Sequence, residues 1–137
     1  MDRIAARLSS PRGKLVYRLQ GLSDLVLGAA GLLAPGWTAA LMAEGEPGAM
    51  EPVLRAVGLV LFLFASVTVL LSARPGGSAA RRLFPVYPLL NWGFTVACAA
   101  VLALWPDAFG LIGWAVVLVV AAGAVAFALA QHALLRS

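Results

Sequence analysis

Four long runs of apolar residues alternate with short polar segments along the chain. They cover residues 15–34, 53–73, 83–105 and 109–134, and each approaches or exceeds the ~20 residues that a helix needs to cross a bilayer. The segments between them, 35–52, 74–82 and the turn at 106–107, contain the glycine, proline and charge that are typical of connections. The pattern predicts an all-α membrane protein, a four-transmembrane-helix bundle that forms a single domain over residues 1–137.

Composition supports this interpretation. Hydrophobic residues make up 62% of the chain and charged residues 12%, against about 45–50% and about 25% in soluble domains. The net charge is +4, but the basic residues lie between apolar runs, so we expect contact with anionic lipid headgroups and not with nucleic acid. The first run is too long for a typical signal-peptide core, so we expect it to stay in the protein.

The charges separate by connection, and this predicts the orientation. Lysine and arginine are concentrated before or at the start of the first run, in the second connection and at the C-terminus, whereas the first and third connections carry the acids and no basic residue except Arg55, just inside the second run. The positive-inside rule then places both termini on the cytoplasmic side. We therefore expect a multi-pass protein of the bacterial cytoplasmic (inner) membrane, with Trp37 and Trp105 at the outer interface.

One carboxylate, Asp24, lies inside the first apolar run, in the stretch GLSDLVLGAAGLL (residues 21–33). At ~1.5 Å per residue from Leu15 it lies ~13 Å deep in a ~30 Å hydrocarbon core. A charged carboxylate there costs roughly 2.5–3.5 kcal/mol on insertion scales, so it must be neutral, paired or facing a wet cavity. Small residues flank it at helical spacing, and this predicts a face that another helix approaches closely; the face is Tyr17, Gly21, Asp24, Gly28, Gly31 and Pro35.

The third run offers a polar stripe that could meet this acid. Tyr87, Asn91, Thr95 and Cys98 recur at helical spacing. Counted inward from Arg82, Asn91 also lies ~13 Å deep. Because an amide can donate to a carboxylate, we expect an Asp24–Asn91 hydrogen bond at the centre of the candidate site. The predicted binding residues are Asp24, Asn91, Tyr17, Gln20, Tyr87, Thr95 and Arg18.

Two interpretations of this pair stay open, a structural hydrogen bond between helices and a site for a ligand or a proton. Ser66, Thr68, Gln131 and His132 could extend the site into a polar pocket open to the cytoplasm, although hydroxyls in apolar helices commonly bond their own backbone. Nucleotide-binding, metalloprotease and serine-hydrolase motifs are absent. We therefore predict no catalytic residue and no metal site, and the sequence does not identify a cofactor.

The stretch YRLQGLSDLVLGAAGLLAP, residues 17–35, opens with Arg18-x-x-Gly21 and precedes three further spans. In this layout the chain resembles the small DoxX-like integral membrane proteins of bacteria. The resemblance implies a four-helix bundle working beside a redox or other membrane partner, and it carries over no individual site residue. A faint similarity at an offset of seventy residues, between VYRL at 16–19 and VYPL at 86–89, would fit two repeated helical hairpins.

The connections are too short for an active site outside the membrane, and few polar residues lie within it. We therefore expect a subunit or accessory partner of a larger inner-membrane complex, in contact with lipid and with other membrane subunits or itself, and the sequence favours such a role over an enzyme without deciding between them. The alternative is a stand-alone membrane pocket protein centred on Asp24 and Asn91. Such a protein would be a small-molecule or proton-coupled transporter, or an enzyme acting on a lipid or quinone.

Overall fold

The structure is a computed structural model that describes residues 3–137. The described chain is helical, which confirms the predicted all-α class. Three short 3-10 turns, Pro47–Ala49, Phe84–Val86 and Pro106–Ala108, connect or precede the α-helices. The helices are α1 Arg3–Leu8, α2 Pro11–Leu33, α3 Pro35–Met42, α4 Met50–Ser72, α5 Ser78–Leu83, α6 Tyr87–Leu104 and α7 Leu111–Arg136.

Three helical segments are long and apolar enough to cross a membrane: Pro47–Ser72, Ser78–Leu104 and Leu111–Arg136. A fourth is obtained if α2 and α3, which meet at 99°, are counted as one bent span. In the most apolar 18-residue stretch of each of these three segments, only 17–22% is buried inside the protein. Most of their apolar side chains therefore face outward, as a surrounding bilayer requires. The fold is that of a multi-pass membrane protein with three or four candidate spans.

The prediction of a loop over residues 35–52 was wrong for its first half. Ala34 leaves the helical region (φ −131°, ψ 51°), and Pro35 then occupies the first turn of α3, where its missing N–H is not needed. The end of α3 is tied to the start of α7, since the Gly110 N–H donates to the Met42 carbonyl (3.0 Å). The second connection likewise contains helix α5, which the pattern did not predict.

Helices α2 and α4 form the first helix pair, and glycine sets how closely they approach. A Cβ at Gly28 would lie 2.6 Å from the backbone nitrogen of Phe62, and one at Gly31 would lie 2.7 Å from the Leu54 carbonyl oxygen. At these distances even a methyl group requires the two helices to move apart. The predicted small-residue face of α2 is confirmed, but its partner is α4 and not the third apolar run.

Helices α6 and α7 form the second helix pair. The two pairs meet at the end that carries the termini, where Leu8, Ala80, Phe84 and Leu134 are buried together. Away from this end α4 scarcely contacts α6 or α7. The pairs are therefore joined at their ends and separated between them, and this separation creates the candidate site.

Candidate binding site between the two helix pairs

Four rings at the junction form an aromatic cluster, defined by Tyr17, Phe64, Phe84 and Tyr87. Tyr17 stacks on Phe84 with centroids 4.0 Å apart, and its hydroxyl donates to the Phe84 carbonyl (2.9 Å). Tyr87 packs edge-on to both of these rings, and its hydroxyl shares a 2.7 Å hydrogen bond with Thr68. Tyr17 and Tyr87 therefore brace α2, α4 and α6 against one another beneath the site.

Next to this cluster lies an amide network, defined by Gln20, Asn91 and Gln131. Their side chains are 2%, 7% and 0% exposed. Gln20 Nε2 donates to Asn91 Oδ1 (2.9 Å), and Asn91 Nδ2 donates to Gln131 Oε1 (2.9 Å) and to Gln20 Oε1 (3.2 Å). Gln131 Nε2 also donates to Gln20 Oε1. The network links α2, α6 and α7 through buried amides that serve as one another's partners.

The predicted Asp24–Asn91 hydrogen bond was wrong, because Asn91 bonds the two glutamines instead. The depth of Asn91 was counted along the helix from Arg82, and equal depth does not decide which side chain of a neighbouring helix is met. Asn91 lies one turn into α6 and meets Gln20, one turn before Asp24 on α2.

Asp24 is half-buried and lines a cavity between the two helix pairs. Its carboxylate interacts with the Gln20 side chain on its own helix and electrostatically with Tyr87 on α6. The amide network thus orients Gln20, and Gln20 contacts the acid. Asp24 faces an open space and not a tightly packed neighbour.

The cavity has a volume of about 870 Å³, within the range of about 300–1,000 Å³ that is typical of small-molecule sites. Its lining contains one ionisable side chain, Asp24, and no lysine, arginine or histidine. Three phenyl rings, Phe64, Phe94 and Phe127, contribute from α4, α6 and α7. The remaining lining residues are Gln20, Ser23, Val26, Leu27, Val60, Leu61, Leu89, Leu90, Asn91, Gly93, Ala97, Val119, Val120, Gly123 and Ala124.

Two glycines help to keep this space open. A Cβ at Gly93 or at Gly123 would meet no atom within 4 Å, in contrast to the close contacts of Gly28. The backbones of α4 and α6 have few close approaches, which leaves the cavity open between these helices beyond the Thr68–Tyr87 contact. Val60 on α4 and Leu89 on α6 line this opening and are both 67% exposed.

Other predicted site residues lie elsewhere. Arg18 lines a separate groove of about 280 Å³ with Ser72, and Thr95 donates to the carbonyl of Asn91 on its own helix (2.9 Å). His132 accepts a hydrogen bond from Trp92 on the outer surface of the second pair (3.0 Å). Ser66 bonds its own helix backbone. The prediction of a polar pocket open to the cytoplasm is therefore wrong, because the aromatic cluster and the amide network occupy that position.

The residues that sequence reasoning missed are the apolar ones that shape the cavity. Phe94 and Phe127 lie in strongly apolar runs, so their hydrophobicity does not distinguish a cavity from a lipid-facing surface. Gly93 and Gly123 were the available signals, because an isolated glycine inside a helix costs about 1 kcal/mol relative to alanine and so points to a role in packing or function.

Comparison of the chain with protein-family models, with curated proteins and with solved structures found no match. The resemblance to DoxX-like proteins therefore stays a prediction.

Proposed function

We propose that this protein is a stand-alone pocket protein that binds a small molecule dissolved in the membrane, in the cavity between its two helix pairs. The observation that carries the proposal is a cavity of about 870 Å³ with an apolar lining and one carboxylate, Asp24. A large apolar pocket with few convergent polar groups is the usual form of a small-molecule site.

In the orientation that we propose, α2–α3, α4, α5–α6 and α7 are the four spans of a protein in the bacterial inner membrane. Both termini lie in the cytoplasm, on the side of the arginines. The cavity then lies beyond the aromatic cluster, at the level of the hydrocarbon. Its opening between α4 and α6 faces lipid, so a ligand enters sideways from the bilayer and not from water.

The lining supports binding more strongly than chemistry. Among the residues that line the cavity, Asp24 has no second acid and no histidine beside it, and the hydroxyl of Ser23 has no histidine or lysine to activate it. General acid–base catalysis works best with a positioned donor or acceptor for each proton moved. We therefore propose that the cavity takes up and binds a ligand, in the manner of a carrier or transporter. The proposal includes no chemical conversion of that ligand.

The test is photolabelling of the purified protein in phosphatidylcholine nanodiscs with a neutral, apolar aryl diazirine, followed by peptide mass spectrometry. We expect the label to concentrate on cavity residues such as Phe94 and Phe127 over the exposed Leu63 and Leu70, which do not line the cavity. Gly123→Phe places a ring in the space that is open beside Gly123 and should abolish the cavity labelling. Gly48→Phe is the matched control, because a Cβ at Gly48 would also meet no atom within 4 Å and Gly48 lies outside the cavity.

Equal labelling of cavity and lipid-facing residues in the wild-type protein would contradict the proposal. So would cavity labelling that survives Gly123→Phe while the variant remains folded. Both results would mean that the space between the helix pairs is not an accessible site.

A role as an accessory subunit of a larger inner-membrane complex is a second proposal. It is supported by the small amount of chain outside the long helices, since the connections 43–46, 73–77 and 105–110 are short. A partner would have to contact the lipid-facing helix surfaces. Detergent-extracted native complexes, identified by mass spectrometry, test this role: a stoichiometric membrane partner supports it, and a chain recovered alone or only with itself contradicts it.

A further inference from the structure

We infer that the ligand of this cavity is an amphiphilic organic cation, whose charged head pairs with Asp24 and whose apolar body lies against the phenyl rings. This inference rests on the proposed function, because it assumes that the cavity takes up a ligand.

The charge of the lining points to a cation. Asp24 is its one ionisable group, and an ionised carboxylate only accepts hydrogen bonds. The amides of the lining are neutral: Asn91 is held by the glutamines of the amide network, and Gln20, which contacts Asp24, carries no charge. The guanidinium of Arg18 lines a different groove. The protein therefore supplies no positive charge in the cavity to balance Asp24, and a cationic ligand would.

The aromatic rings point the same way. Phe64, Phe94 and Phe127 reach the cavity from three different helices, so rings border it on more than one side. The face of a phenyl ring attracts an organic cation, and the attraction is stronger where water is excluded. One carboxylate with several rings is a suitable lining for a quaternary ammonium, a phosphonium or a protonated hydrophobic amine.

The same lining disfavours the other ligand classes. An anionic head would meet Asp24 with no basic residue in the lining to offset the repulsion. A neutral apolar molecule would fit the walls but would offer no charge to the carboxylate, whose contact with Gln20 is with a neutral amide. The apolar walls require a ligand with an apolar body, so a small hydrated cation would not suit the cavity.

Two probes of almost equal size and shape isolate the charge: tetraphenylphosphonium, a cation, and tetraphenylborate, an anion. Each probe is titrated as a competitor of the aryl diazirine, on the wild-type protein and on Asp24→Asn, in neutral detergent micelles. The midpoint is the probe concentration that halves the labelling. For each probe, the ratio of the wild-type midpoint to the Asp24→Asn midpoint cancels the partitioning of the probe into the micelle. Asp24→Asn keeps the size of the side chain and its capacity to bond Gln20. Glu51→Gln is the control, because it removes an acid that does not line the cavity.

We expect Asp24→Asn to weaken displacement by tetraphenylphosphonium about 10- to 100-fold, the range of a hydrogen-bonded charged contact. Displacement by tetraphenylborate should stay unchanged or improve, and Glu51→Gln should change neither. A midpoint for the cation that moves less than about threefold in Asp24→Asn would overturn the inference. Failure of both ions to displace a label that does enter the cavity would overturn it as well. Absence of cavity labelling in the wild-type protein would instead contradict the proposed function itself.

Discussion

The close packing of α2 on α4 leads to a matched pair of glycine substitutions. Gly28 and Gly93 both lie inside long helices, α2 and α6, and both would become alanine. A Cβ at position 28 would lie 2.6 Å from the Phe62 nitrogen and 2.9 Å from its Cα, whereas at position 93 it would meet no atom within 4 Å. The two changes are chemically identical and differ in the space that they enter.

The expected magnitudes follow from two effects. Glycine to alanine favours a helix by about 0.8–1.0 kcal/mol at either position. Overpacking costs about 1–3 kcal/mol, and at Gly28 the obstructing atoms are backbone, so a rotamer change cannot relieve the contact. The propensity gain is common to both variants and cancels in their difference. We therefore expect Gly28→Ala to be less stable than Gly93→Ala by about 1–3 kcal/mol.

The assay is reversible unfolding in mixed micelles with increasing dodecyl sulfate, followed by the fluorescence of the four tryptophans. The free energy of unfolding is compared between the two variants and the wild-type protein. Gly93→Ala should match or exceed the wild type. Equal stability of the two variants would refute the α2–α4 contact, and a loss at Gly93 alone would place the close contact on α6 instead.

The remaining predictions concern the network, the acid, the topology and a surface ion pair. Asn91→Leu removes the hydrogen bonds of Asn91 with Gln20 and Gln131 and should lower the free energy of unfolding by about 1–3 kcal/mol; an unchanged value would contradict the network. Asp24→Leu should keep the wild-type melting temperature, because the side chain faces a cavity, and a large drop would mean a packed site. A reporter fused after Ser137 should be active only in the cytoplasm, and periplasmic activity would reverse the orientation. Replacing Glu51 and Arg55, which are 3.6 Å apart and exposed, with glutamine should change stability by no more than about 0.5 kcal/mol, which a melting curve checks.

Much of the architecture could be predicted because it depends on local pattern. A membrane-crossing helix satisfies its own backbone hydrogen bonds, so the length and hydropathy of each run are enough to locate it. The glycine spacing of α2 predicted a close helix contact for the same reason, since 3.6 residues per turn place positions 21, 28 and 31 on one face. The exposed pair of Glu51 and Arg55 needed only the spacing of four residues within one helix.

Tertiary structure decided everything that depends on how one helix stands against another. Only the packing of α6 on α2 shows that Asn91 meets Gln20 and not Asp24. Glycine gives no sign of its partner, and only packing shows that Gly28 touches α4 while Gly93 borders empty space. The cavity lies between helices α4 and α6, whose backbones have few close approaches, and such a gap has no local sequence pattern. For this reason the sequence identified the acid in the membrane, and the fold determined what it faces.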